Sequence, residues 1–281
     1  MRLLLAAVLA CPASAMAAWH SFLLPEYAVV PHTKPVPVAI ILTAKVNGKD
    51  CHAQLDTGAP KAVYWHAAAS GSEVPGPVTI ELAGITQTSE ADASQLQGCA
   101  TGIPLTVGNA FFETGTLTLD LKNARYDWAA GSQLPPEADT MQYVRWGGPG
   151  GHPLVQVRAG GAEPLPALLD TGSAAFGIAA HDEQSWSELT AGLPKDSPGL
   201  RHFSGNAWGK QIDCGLGEIK RPLEIGGAIK LTEFLVGYCD DQRFKPGSKL
   251  AGVLGLHHFL GKVIVLDYPA QRWAVRAPEP K

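Results

Sequence analysis

Two stretches decide the reading of this chain: Ala53-Gln54-Leu55-Asp56-Thr57-Gly58-Ala59 and Ala167-Leu168-Leu169-Asp170-Thr171-Gly172-Ser173. Each is an apolar strand that runs into Asp-Thr-Gly. A single such triplet is weak evidence, because turn residues cluster by chance. The surroundings recur as well. Upstream, Ile40-Ile41-Leu42-Thr43 matches Leu154-Val155-Gln156-Val157, and Asn47-Gly48 and Gly160-Gly161 supply the turns of two tight hairpins.

A second block repeats in the same order. Val107-Gly108 through Phe112, Leu117, Leu119-Asp120 and Arg125-Tyr126 matches Leu254-Gly255 through Phe259, Ile264, Leu266-Asp267 and Arg272-Trp273. In each copy an apolar-Gly step leads into a short helix-compatible stretch and then an alternating strand. Two blocks in one order point to a duplicated chain. The expected organisation is a signal peptide over 1–18, a first lobe over 19–132, a linker over 133–147 and a second lobe over 148–281. The linker carries Pro135-Pro136 and leads into a glycine-rich run, Gly147 to Gly151.

Composition narrows the class. Among 281 residues there are 31 Gly and 22 Pro, and only 17% are charged, which suits a turn-rich β protein better than a helical bundle. The net charge of −4, without a basic run, offers no footprint for a nucleic acid or for an anionic membrane surface. Met1-Arg2, the apolar run Leu3 to Ala10 and the small residues through Ala18 form a secretory signal, so a periplasmic or secreted protein is expected. Cys11 raises lipid anchoring as an alternative. Beyond export, no membrane association is expected.

Once the signal is removed, Cys51, Cys99, Cys214 and Cys239 remain. An even count in an exported chain favours disulfides over free thiols. Three pairings are open, of which the repeat favours Cys51–Cys99 and Cys214–Cys239. Neither Cys-x-x-Cys nor spaced Cys/His pairs occur, and the adjacent His257-His258 lacks a third ligand, so no metal site and no cofactor are expected.

Paired aspartates suit the hydrolysis of a peptide bond. Attack by water needs one group to accept a proton and another to give one. Two carboxyls about 3 Å apart cannot both ionise cheaply, so they share one proton; aspartic proteases are the standard worked example of the effect. Asp56 and Asp170 are the candidate pair. Thr57 and Thr171 can brace the two loops with their hydroxyls, while Gly58 and Gly172 let the backbone come close. Ser173 can add a bond to Asp170, which Ala59 cannot do for Asp56.

With these residues in view, the chain resembles aspartic peptidases of the pepsin and retroviral type. His152 to Val157 followed by Ala167 to Ser173 is similar to their catalytic strand-turn-strand. Val253-Leu254-Gly255 with Leu266-Asp267 is similar to their apolar-apolar-Gly segment, a place that Val107-Gly108 takes in the first half. The resemblance implies an all-β fold with two homologous barrel-like lobes, a cleft between them, a covering hairpin, and a monomer that acts on an extended peptide or protein.

One departure stands out. Asp56 to Gly108 spans 52 positions, whereas Asp170 to Gly255 spans 85. The first half is short where a cover would lie, so the hairpin is expected from the second half, with Trp208 over the substrate and Ala59 and Ser173 beside it. The alternatives to an endopeptidase are a silent peptide-binding protein on the same fold and a processing enzyme with one target, or with itself as target.

Overall fold

The computed structural model describes residues 18–28, 34–66, 74–173, 177–207, 210–240 and 249–278. Residues 1–17 of the expected signal, including Cys11, and Trp208 lie outside the described residues. The fold is all-β and two-lobed.

Each half starts from a hairpin that the sequence dictates. Ile40–Val46 pairs antiparallel with Lys49–Leu55, and His152–Ala159 pairs with Leu165–Leu169. Their turns carry positive φ at Asn47 and Gly48, and at Gly160 and Gly161, as two-residue hairpin turns require. Residues of the first strand alternate between buried and exposed toward the turn, then are buried on both faces near its start at Ile40.

From this start the halves follow one plan. In the first half the sheet order is Val63–Trp65, Leu105–Val107, Lys49–Leu55, Ile40–Val46, Gly76–Leu82, Ile85–Ala91. In the second half the matching order is Ile178–Ala180, Gly252–Leu254, Leu165–Leu169, His152–Ala159, Leu223–Ile225, Ile229–Leu231. The central pairing is parallel in both, with Leu55 opposite Val107 and Leu169 opposite Leu254.

The extra length of the second half becomes three further strands at its edge: Phe234–Cys239, Lys210–Ile219 and Arg201–Ala207. The last two form a long hairpin, with Arg201 opposite Leu216. Cys214 pairs with Cys239 across two of these strands, and Cys51 pairs with Cys99 in the first half. The pairing favoured by the repeat is the one observed.

A six-stranded sheet joins the halves. Its two inner strands, Gly115–Asp120 and Val263–Asp267, come one from each copy of the second repeated block and pair antiparallel, with Thr118 opposite Val265. Side chains of Val263–Asp267 alternate between two faces, and every residue of this strand is buried. Val263 and Val265 pack with Leu134 on one side, while Ile264 and Leu266 join the main core on the other. The stretch 133–147 thus adds to the packed structure: Leu134 caps the sheet, Asp139–Thr140 pairs with Arg272–Arg276, and Gln142–Val144 pairs with His152–Ala159.

Candidate active site

Both Asp-Thr-Gly loops leave the C-terminal end of a central strand and are fixed by matching backbone bonds. Asp56 N–H donates to Val107 O and Asp170 N–H to Leu254 O, each at 3.0 Å. Gly108 N–H reaches Ala62 O at 3.1 Å, and Gly255 N–H reaches Gly177 O at 3.0 Å. The apolar-Gly segments found in the sequence therefore thread beside the aspartate loops.

The loops meet across the seam. Thr57 N–H donates to Thr171 Oγ1, and Thr171 N–H to Thr57 Oγ1, both at 3.0 Å. Each hydroxyl passes its own proton on: Thr57 Oγ1 to Leu169 O at 2.7 Å, Thr171 Oγ1 to Leu55 O at 2.9 Å. Both threonines are buried, at 1% and 0% exposure, so all four bonds lie out of reach of water and leave none of these polar atoms unsatisfied.

This lock brings together aspartates that are 114 positions apart in the chain. The two carboxyls meet at the seam, each resting against the glycine of the other loop and close enough for the charge of Asp170 to act on Asp56. Burial raises both pKa values above the ordinary carboxylate range; for Asp56 the charge of Asp170 adds to the effect. Gly58 N–H donates to Asp56 Oδ1 and Gly172 N–H to Asp170 Oδ1, each at 2.8 Å, and these bonds pull the other way. Asp56 is 7% exposed, while Asp170 is more open.

The two residues that follow the triplets differ in their surroundings. Ser173 reaches Asp170 Oδ1 through its backbone N–H, at 3.2 Å, rather than through its hydroxyl. Ala59, expected to touch substrate, is fully buried behind the loop, with its carbonyl accepting from Asn109 Nδ2 at 3.2 Å. It faces the protein interior because the chain turns inward at Pro60 toward the short helix Asn109–Phe112.

Other residues at the site were not singled out in the sequence. Asn109, Tyr268 and His152 cluster behind the first loop, and Tyr64 stands close enough to Asp56 to feel its charge. Asn109 follows directly on Val107-Gly108, so its place in the repeat was visible. Its partners, being remote in sequence, were not. Among the described residues no cluster of three His, Cys, Asp or Glu side chains is placed to hold a metal ion.

Fold and site together define a two-lobed, all-β protein with two buried aspartates brought together at its seam. Among solved structures, the chain is similar to an aspartic proteinase from Irpex lacteus, with 14% identity over 86% of this chain and 95% of that one and a TM-score of 0.45. No family model and no curated protein matches. The expected membership of the pepsin and retroviral peptidase families is corrected accordingly: the similarity found is a distant one, of fold alone. Short motifs and strand patterning answer to the needs of one backbone geometry, and a sequence with little else in common can meet them.

Proposed function

We propose that the protein is an aspartic endopeptidase whose dyad is Asp56 and Asp170. The observation that supports this reading best is the meeting of the two carboxyls at the seam, held there by the reciprocal threonine lock. A protein that only bound peptides would gain nothing from burying two acids in contact, since their desolvation and repulsion cost stability.

In this reading a water lies between the carboxyls. The ionised member takes a proton from the water as its oxygen attacks the peptide carbonyl carbon, and the protonated member gives its proton to the carbonyl oxygen. Collapse of the resulting tetrahedral species breaks the C–N bond once the leaving nitrogen is protonated by the dyad. One shared proton is needed throughout, so activity is greater in acid than in alkali. Thr57, Thr171, Gly58 and Gly172 hold the geometry. Ser173 faces the substrate beside Asp170, and the long hairpin of the second half covers an extended peptide through strand-like bonds.

The two disulfides support an oxidising compartment, and we assign the mature chain to the periplasm or the exterior. No helix among the described residues is long and apolar enough to cross a membrane.

The test is hydrolysis of denatured casein between pH 3 and pH 8 by the wild type, by Asp170→Asn, and by the wild type with a pepstatin-type inhibitor. We expect cleavage in acid that the inhibitor blocks and the variant lacks. Cleavage that survives in Asp170→Asn, or a rate that keeps rising above pH 8, would end the reading.

A further inference from the structure

Behind the carboxyls the two halves differ. The Thr57–Gly58 and Thr171–Gly172 peptide groups each turn their N–H onto the preceding aspartate. At the other end of the first of these groups, Thr57 O accepts a 2.6 Å hydrogen bond from Asn109 Nδ2. The same nitrogen lies 2.9 Å from Gly151 O and 3.2 Å from Ala59 O. Three carbonyls around Nδ2 fix the orientation of the amide, and its oxygen accepts from Tyr268 Oη at 2.9 Å. Asn109 is fully buried. Burial, then the neighbouring Tyr143 and Glu113, hold the Tyr268 proton in place, so its hydroxyl is the donor.

The second half has no counterpart. The residue after its matching glycine is Leu256, fully buried and without an amide to offer Thr171 O.

We propose that Asn109 is a positioning residue that sets Asp56 apart from Asp170, through a chain of donors running from the Tyr268 hydroxyl to the Asn109 amide, the Thr57–Gly58 peptide and the Asp56 carboxylate. The cause is polarisation. A donor on a peptide carbonyl draws electron density toward that oxygen and makes the N–H of the same peptide a stronger donor. The strengthened Gly58 N–H favours negative charge on Asp56 and lowers the proton affinity of that side of the pair. Leu256 leaves Gly172 N–H without this help.

The relay also ties the dyad to the seam. Gly151 N–H donates to Tyr143 Oη at 2.9 Å, the Tyr143 hydroxyl bonds Glu113 at 3.0 Å, and Arg145 pairs with Glu113 at 3.1 Å. Two more ionisable groups face the first loop: Tyr64 from the strand Val63–Trp65, and His152, whose ring meets the Gly58 backbone. None of these groups is itself substituted in the variants below.

The inference rests on the dyad of the proposed function but not on its activity, so the test reads protonation directly. Carboxyl carbons are followed by NMR titration of aspartate-labelled protein, with Asp56→Asn and Asp170→Asn assigning the steps. The lower of the two dyad steps should rise by about half a unit in Tyr268→Phe and by about one unit in Asn109→Leu. The acid limb of kcat/KM should move to higher pH by a similar amount, with KM changed less than about twofold. If Asn109→Leu fails to fold, Tyr268→Phe, which removes a single oxygen, decides alone. Dyad steps within about 0.2 of wild type in the folded variants overturn the relay, whatever happens to kcat or Tm, and leave the peptidase reading untouched. A wild type that cleaves nothing yet shows the shift keeps the relay and removes the peptidase.

Discussion

Gly58 lies so close to Asp170 that a β-carbon on it would stand 2.6 Å from the carboxyl carbon; Gly172 stands in the same relation to Asp56, at 2.7 Å. Each half thus provides the floor on which the other half's carboxyl rests. The glycines of the two triplets are required by contact across the seam more than by the turns in which they sit.

Alanine at either glycine should therefore separate the carboxyls. We expect Gly58→Ala and Gly172→Ala each to lower kcat by at least about a hundredfold, because a displacement of about 1 Å in a reacting group is enough for that. The fold should survive in far-ultraviolet circular dichroism. Near-wild-type kcat in both variants would show that the carboxyls need not touch.

The threonine lock offers a graded test. Thr171→Val removes a hydroxyl that bonds Leu55 O and leaves both that carbonyl and Thr57 N–H unsatisfied in a buried site. The expected loss is about 2–6 kcal/mol of stability in denaturant unfolding, at about 1–3 kcal/mol for each orphaned group. Thr171→Ser keeps the oxygen and should recover most of both stability and rate.

The dyad makes stability depend on pH in a defined direction. Both carboxyls have raised pKa values in the fold. Their contribution is fully present below the unfolded carboxylate value of about 4 and is lost as pH rises through the folded values. Asp170→Asn keeps a neutral group in place, so it should melt above wild type at pH 7, with the gap closing toward pH 3. Thermal scans across that range check this; a variant that melts below wild type at pH 7 would contradict it.

His258 acts with the opposite slope. Burial, then its neighbour His257, hold its pKa at about 4, and its Nε2 is buried without a partner. The neutral ring belongs to the fold, so this contribution is complete above the unfolded value of about 6.5 and is lost as pH falls through about 4. His258→Gln should flatten the decline in Tm between those two values. An unchanged decline would mean that other groups cause it.

The disulfides close loops of 48 and 25 residues. Chain-entropy reasoning gives each about 3–4 kcal/mol, slightly more for Cys51–Cys99. Replacing either pair with serine should lower the denaturant midpoint without abolishing folding. The loss at Cys214–Cys239 should appear first as proteolytic nicking of the strands added in the second half, whose outermost member, Arg201–Ala207, is an edge strand paired on one side only.

Much of this molecule was legible along the chain, because its signals are local. Leu-Asp-Thr-Gly ends a strand, Asn-Gly and Gly-Gly turn hairpins, and the shortfall between Asp56 and Gly108 marks where the first half lacks strands that the second half has. What covers both faces of Val263–Asp267 was not legible, because one of the covers is Leu134, which is remote in the chain. Asn109 passed unnoticed because an asparagine at the start of a short helix looks like an ordinary helix-start residue.

By itself the sequence determined that the chain is duplicated, that it is built of strands, and that an acid sits at the same place in each copy, since these follow from residue order and strand periodicity. Only the tertiary structure decided that the acids meet at the seam, that Gly58 makes room for Asp170, and that Tyr268 is hydrogen-bonded to Asn109, 159 positions away. Such relations depend on how the two halves dock, and docking is set by complementary surfaces that no local pattern encodes.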